Sequence, residues 1–155
     1  MAGTARRRHL RHLIRNWLPI ALWAALIFYF STDQFSSSHT SQLLEPLLNW
    51  LFPGISADRI AAIHFALRKL GHLSEYMVFA VLLLRALSQE PGRRFNARHA
   101  ALTVAFVFVY AVSDELHQGF VASRTASFGD VLIDLFGGIC GTFWMLLHRK
   151  GNRET

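Results

Sequence analysis

Four long apolar segments restrict the folds that this chain of 155 residues can adopt. They cover approximately residues 13–32, 68–87, 97–118 and 128–147, and polar segments separate them. A helix needs about 20 predominantly apolar residues to cross the hydrocarbon core of a bilayer, and it satisfies its own backbone hydrogen bonds there. We therefore predict an all-α fold, an integral membrane bundle of four transmembrane helices that forms one domain over residues 1–155.

A fifth apolar segment, approximately residues 41–52, is too short to span a bilayer. It contains Trp50 and is followed by Pro53-Gly54, a pair that signals a turn. Short amphipathic segments with a tryptophan are typical of helices at the membrane surface. We predict a short interfacial or re-entrant helix here, with Ser56 as the N-cap of a following helix that continues to about residue 87.

The basic residues cluster at the ends of the apolar segments. Of the 16 lysines and arginines, most precede the first segment, follow the last one or lie between the second and the third. The positive-inside rule then predicts a multi-pass protein of the cell membrane whose two termini and 88–98 connection are cytoplasmic. A nucleic-acid-binding protein would carry its basic residues on one continuous face, so we expect the lipid bilayer, and no nucleic acid, as a partner.

Ionisable residues interrupt three of the predicted membrane spans, where an unpaired charge costs several kcal/mol. At about 100° per residue, each helix gathers its polar side chains on one arc. These arcs hold Arg68, Lys69, His72, Glu75 and Tyr76 on the second span, Tyr110, Asp114 and His117 on the third, and Asp130 and Asp134 on the fourth. The predicted topology brings all three arcs to the outer half of the bilayer, so we predict one outward-facing polar pocket. Glu115 is expected to point about 100° away from Asp114.

The pocket residues fall into two groups by their chemistry. Candidate catalytic residues, which can move protons, are His72, Glu75, Asp114, Glu115, His117 and Asp130. Candidate substrate-binding residues are Lys69, Tyr76, Tyr110, Gln118, Arg124 and Asp134. In an enzymatic version, His117 or His72 is the general base, and Lys69 and Arg124 hold an anionic head group such as a lipid phosphate. A water-based or metal-assisted reaction is favoured, because no serine or cysteine lies in a nucleophile motif.

Three other interpretations of the same residues stay open. The first is a salt-bridged network that fixes the helix register, and the second is a path that relays protons. The third is a divalent metal as cofactor, although no residue is assigned as a metal ligand, because neither H-E-x-x-H nor a paired-cysteine motif is present. The Gly137-x-x-x-Gly141 spacing predicts close packing of the last helix against a neighbour.

The motifs resemble those of a known family. They are Lys69-x-x-His72-x-x-Glu75-Tyr76, then Tyr110-x-x-x-Asp114-Glu115-x-His117-Gln118-x-Phe120, then Arg124, and Asp130 ahead of a glycine-rich last helix. Together they closely resemble the VanZ-like family, and the resemblance covers nearly the whole chain. That family consists of small bacterial multi-pass membrane proteins, and its founding member is associated with low-level resistance to the glycopeptide teicoplanin.

The resemblance implies a membrane protein that acts near the cell envelope. With the polar pocket, it leads us to expect binding or modification of a lipid-linked or cell-wall-related anionic molecule, in connection with the response to glycopeptide antibiotics. The alternative is a non-enzymatic accessory protein whose histidine and carboxylate network is structural or relays protons. Both an enzyme and a binding protein fit these residues.

Overall fold

The chain folds into a helical membrane bundle. The computed structural model describes residues 2–33, 37–88, 97–121 and 126–151, and over these residues it contains α-helices and no β-strand. The helices are α1 (Ala2–Phe30), α2 (Ser37–Leu51), α3 (Ala57–Leu87), α4 (Ala97–Gln118) and α5 (Phe128–Gly151). All but α2 contain a segment that is long and apolar enough to cross a membrane. The prediction of an all-α membrane bundle with four spans and one short additional helix is confirmed.

α1 extends beyond its predicted bounds, whereas α3 has the bounds that were predicted for it. α1 begins at Ala2 rather than near residue 13, so the arginine-rich segment is helical as well. α3 begins at Ala57, directly after Ser56, whose extended backbone occupies the N-cap position without a hydrogen bond from its side chain. With 31 residues, α3 is about 46 Å long, which exceeds the hydrocarbon thickness of about 30 Å.

The amphipathic helix α2 packs against this extended first part of α3. Thr40 Oγ1 and His64 Nε2 lie 2.6 Å apart and connect the two helices. Several large apolar residues of α2 keep most of their side-chain area exposed, among them Leu43 and Trp50. α2 therefore adds a partly apolar layer to one end of the bundle.

Glycines hold α5 close to two neighbours. A Cβ atom at Gly137 would collide with the carbonyl oxygen of Leu73 in α3, and one at Gly141 would collide with that of Met77 one turn later. On an adjacent face, a Cβ atom at Gly138 would lie 2.5 Å from a methyl group of Val107 in α4. Close backbone contact through small residues is typical of helix packing in membranes, and here it places α5 in the groove between α3 and α4.

Two hydrogen bonds between residues far apart in the sequence attach α1 to the rest of the bundle. Trp23 Nε1 donates to the backbone carbonyl of Glu75 in α3 at 2.9 Å. The hydroxyl of Tyr110 in α4 donates to the carbonyl of Ala24 at 2.6 Å. The C-terminal end of α1 is thereby fixed beside α3 and α4, close to the polar residues of both helices.

Candidate functional site

The start of α5 meets the middle of α3 in a group of three charged residues. Asp130 is fully buried and accepts hydrogen bonds from Arg68 Nη2 at 3.0 Å and from Lys69 Nζ. Arg68 and Lys69 keep 29% and 18% of their side-chain area exposed. Two cations thus share one carboxylate, and this group of three carries a net positive charge.

One helical turn further along both helices, a histidine meets a second aspartate. His72 Nδ1 lies 3.1 Å from Asp134 Oδ1, and both residues are buried. The pairing follows from helix geometry, because residues 68 and 72 of α3 and residues 130 and 134 of α5 are each four positions apart and so share a face. The other oxygen of Asp134, Oδ2, is buried and has no hydrogen-bond partner among the residues that the structure describes.

The last turn of α4 contributes Asp114, which faces the end of α1. Asp114 Oδ1 accepts a hydrogen bond from the hydroxyl of Ser31, the residue that follows α1. Its Oδ2 accepts a hydrogen bond from Gln118 Nε2 at 3.1 Å. Gln118 is itself 1% exposed, so the hydroxyl and the amide hold the Asp114 carboxylate in a buried position.

Glu115 also points into the bundle, from a different face of α4 than Asp114. It is 4% exposed, and its Oε2 accepts the backbone N–H of Ser127 at 2.7 Å. Two adjacent residues can both be buried here because α4 has neighbours on two sides: Asp114 faces the end of α1, and Glu115 faces the start of α5. The remaining oxygen, Glu115 Oε1, is buried without a hydrogen-bond partner in the described part of the chain.

Three helices therefore bring ligand-type atoms together around His72. One ligand-type atom from each residue of the set His72, Asp114 and Asp134 lies within 4.8 Å of the other two. The set His72, Glu115 and Asp130 satisfies the same condition. Such clusters of a histidine with carboxylates can exchange protons or ligate a divalent metal.

A cavity of about 510 Å³ lies between α2, α3 and the end of α1, and we name it the α2–α3 cavity. Apolar side chains line one part of it: Phe30, Leu43, Leu44, Leu47 and Leu67. The rest of the lining is more polar and comprises Ser31, Thr40, His64, Arg68, Gly71, His72, Glu75 and Gln118. The cavity has the size and the mixed lining of small-molecule sites. A second cavity, of about 550 Å³, lies against Glu45 in α2 and Ile60 and Phe65 in α3.

Other predicted site residues take different positions. The rings of Tyr76 and Tyr110 lie 6.2 Å apart in the core, where Tyr76 is fully buried. The His117 ring stacks on Phe28 of α1 at 4.2 Å and belongs to neither three-residue set in the described part of the chain. Arg124 lies outside the described residues.

Three residues that contact the site are not among the predicted catalytic or substrate-binding residues. Ser31 lies at the end of the first predicted span, and the sequence alone does not show that this end meets α4. Arg68 lies on the predicted polar face of α3, but the anion contact was predicted for Lys69. Ser127 contributes a backbone N–H. Every residue except proline has this group, so the type of side chain does not predict which one will bind Glu115.

Comparison with known proteins identifies the family. A family model described as VanZ/LLP1 matches residues 16–149, which is most of the chain. No curated protein and no solved structure matches the chain.

Proposed function

Because this chain belongs to the VanZ/LLP1 family of membrane proteins, a family associated with glycopeptide resistance, we propose that it binds a lipid-linked or cell-wall-related anionic molecule at the cell envelope. The α2–α3 cavity is the binding site in this proposal. By the positive-inside rule, the cavity opens to the outer side of the membrane.

The observation that carries the proposal is the division of the cavity lining. Leu44, Leu47 and Leu67 offer an apolar surface to a hydrocarbon chain, while Arg68 and His72 lie in the polar part. Its volume of about 510 Å³ falls within the range of about 300–1,000 Å³ that is typical of ligand sites. An amphiphile with a charged head group satisfies both parts of this lining at once.

The charge at the Arg68 end of the polar part favours an anion. Arg68 and Lys69 share the single carboxylate of Asp130, which leaves one excess positive charge within this group of three, while Glu75 lines the cavity further along α3. Arg68 lines the cavity and is partly exposed, so its guanidinium can donate to a phosphate or carboxylate in a charge-assisted pair. We therefore assign the anion contact to Arg68, with Lys69 holding Asp130 in place.

Without a metal bound to His72, a reaction on the bound head group would use His72 as the general base. His72 lines the cavity, and Asp134 Oδ1 lies 3.1 Å from its Nδ1, which orients the ring. His117 suits that role less well, because its ring stacks on Phe28 and is not among the residues that line the cavity.

The binding proposal can be tested with chain-matched lipids. Purified protein in detergent should bind a fluorescent phosphatidic acid more tightly than a phosphatidylcholine with the same acyl chains. Leu47→Trp, inside the cavity lining, should weaken that binding at least tenfold. Leu132→Trp is the matched control, because Leu132 is also 50% exposed but lies outside the lining. Equal binding of the two lipids, or equal effects of the two variants, would contradict the proposal.

The alternative function is a non-enzymatic accessory protein whose network is structural or relays protons. One observation favours it, namely that Asp130 bonds to both nearby cations and so neutralises charge inside the bundle. Asp130→Asn and His117→Ala separate the two functions. Loss of teicoplanin tolerance with unchanged thermal stability in detergent supports a site, whereas collapse of both variants supports a structural network.

A further inference from the structure

We propose that His72, Asp114 and Asp134 form a binding site for a divalent transition metal beside the α2–α3 cavity. Each ligand comes from a different helix, α3, α4 or α5, and the three ligand-type atoms lie within 4.8 Å of one another. All three residues are buried. The site requires no lipid, so it does not depend on the function proposed above.

Uncompensated negative charge is the first argument for a cation. The hydrogen bonds to Asp114 come from the Ser31 hydroxyl and the Gln118 amide, and the one to Glu115 comes from the Ser127 backbone N–H. None of these donors carries a charge. In a membrane bundle, buried carboxylates are normally paired with a cation, and a bound metal supplies the missing positive charge.

Unpartnered oxygen atoms are the second argument, and they are independent of the first. Asp134 is 0% exposed, yet its Oδ2 has no hydrogen-bond partner among the described residues, and Glu115 Oε1 is in the same situation. Buried polar atoms are nearly always satisfied, and each exception requires an explanation such as an ion. Asp134 belongs to the three-residue set, so this unpartnered oxygen is on one of the proposed ligands.

The other three-residue set, His72, Glu115 and Asp130, is a poorer metal site. Both oxygens of Asp130 accept hydrogen bonds from cations, Arg68 and Lys69, whereas the donors to Asp114 are uncharged. A metal there would lie next to two positive charges. In the proposed set, Ser31 and Gln118 instead hold Asp114 in position, as outer hydrogen-bonding groups do around known metal ligands.

The ligand chemistry indicates the class of metal. One imidazole nitrogen with carboxylate oxygens suits Zn²⁺ or Mn²⁺ better than the softer ions that prefer thiolates. Three protein ligands leave at least one coordination position open, as in catalytic zinc sites. Since His72 lines the α2–α3 cavity, an open position there would be accessible to a small ligand or water.

The test uses the purified full-length protein, stripped with EDTA and then incubated with Zn²⁺ or Mn²⁺ alone. After gel filtration, elemental analysis should find about one metal per chain. At a free metal concentration of about 100 times Kd, the midpoint of thermal unfolding should rise by about 5–10 °C. Absence of both effects for both metals would overturn the proposal.

Variants then locate the bound metal. Asp134→Asn, which preserves size, should lose the metal and its thermal shift, whereas His64→Gln, in the cavity lining but outside the ligand set, should retain both. Unchanged metal content in Asp134→Asn would refute the site. X-ray absorption of the zinc-loaded parent protein tests the same point without any variant. A shell of one imidazole and oxygen atoms is expected, and two or more imidazoles would instead indicate the other histidines and refute the assignment.

Discussion

Replacing Gly137 by alanine should open the interface between α3 and α5. The added Cβ atom would overlap the carbonyl oxygen of Leu73 and lie 3.1 and 3.2 Å from that residue's carbonyl carbon and Cα. These are backbone atoms, so they cannot move aside by a change of rotamer, and the two helices must separate. Overpacking of this kind costs about 1–3 kcal/mol, which for a chain of this length corresponds to a fall of about 2–12 °C in Tm.

Gly71→Ala is the matched control for this substitution. Gly71 lies inside α3, but a Cβ atom there would have Glu75 Oε1 at 4.0 Å as its only described neighbour. Alanine is favoured over glycine by about 0.8–1.0 kcal/mol in a helix interior, so Tm should stay the same or rise by a few degrees. The two variants make the same chemical change and should shift Tm in opposite directions.

The assay is thermal unfolding of purified protein in detergent, followed by circular dichroism and by tryptophan fluorescence. Gly137→Ala should also weaken the pairing of His72 with Asp134, because Leu73 adjoins His72 and Asp134 precedes Gly137 by one turn. A Gly137→Ala protein with the parent Tm, or a Gly71→Ala protein destabilised to the same extent, would show that close backbone contact does not hold α5 in place.

Three further predictions concern topology and local contacts. A cysteine introduced in the 119–127 connection should react with an impermeant thiol reagent added outside intact cells, and one in the 88–98 connection should not; the reverse pattern would invert the proposed orientation. Trp23→Phe removes the hydrogen bond to the Glu75 carbonyl and should lower Tm by about 2–4 °C, since such a bond contributes about 1 kcal/mol; an unchanged Tm would mean that this bond does not stabilise α1. Gly54 has a φ of +86°, a left-handed conformation that costs alanine about 1–2 kcal/mol. In denaturant titrations, Gly54→Ala should therefore destabilise the protein by this amount and Gly54→Asn by less. Equal losses in the two variants would show that the backbone conformation of Gly54 is not the cause.

The fold could be predicted from the sequence because few backbone conformations satisfy their hydrogen bonds in the hydrocarbon core of a bilayer. A run of about 20 apolar residues must be helical in a bilayer, so the four spans followed from the sequence. The start of α1 did not, because an arginine-rich segment outside the bilayer can be helical or extended. Gly137 and Gly141 did predict a close helix contact, although their partner, the backbone of Leu73 and Met77, emerged only from the structure.

The candidate site was predictable in outline and not in detail. Helical phase identified the polar faces of α3 and α5 correctly, since His72 meets Asp134 and Lys69 meets Asp130. Phase alone could not show that Glu115 is buried, because the phase of one helix does not reveal how many neighbours that helix has. The cavity was not predictable either, because it depends on the position of α2. An amphipathic sequence predicts that this helix lies at the membrane surface, but it does not predict how deeply the helix lies there.

The pairing of Arg68 and Lys69 with Asp130 has a consequence for biosynthesis. The partners are 62 and 61 residues apart, so α3 is synthesised well before α5 exists. A charged residue at the centre of a membrane helix disfavours insertion by about 2.5–3.5 kcal/mol, whereas Arg68 and Lys69 lie at the start of the predicted span, where long basic side chains can reach the membrane surface. Because α4 supplies no described partner for these two cations, we expect the nascent α3 to keep this polar end at the lipid surface until α5 arrives. Assembly of this bundle is completed by its last helix.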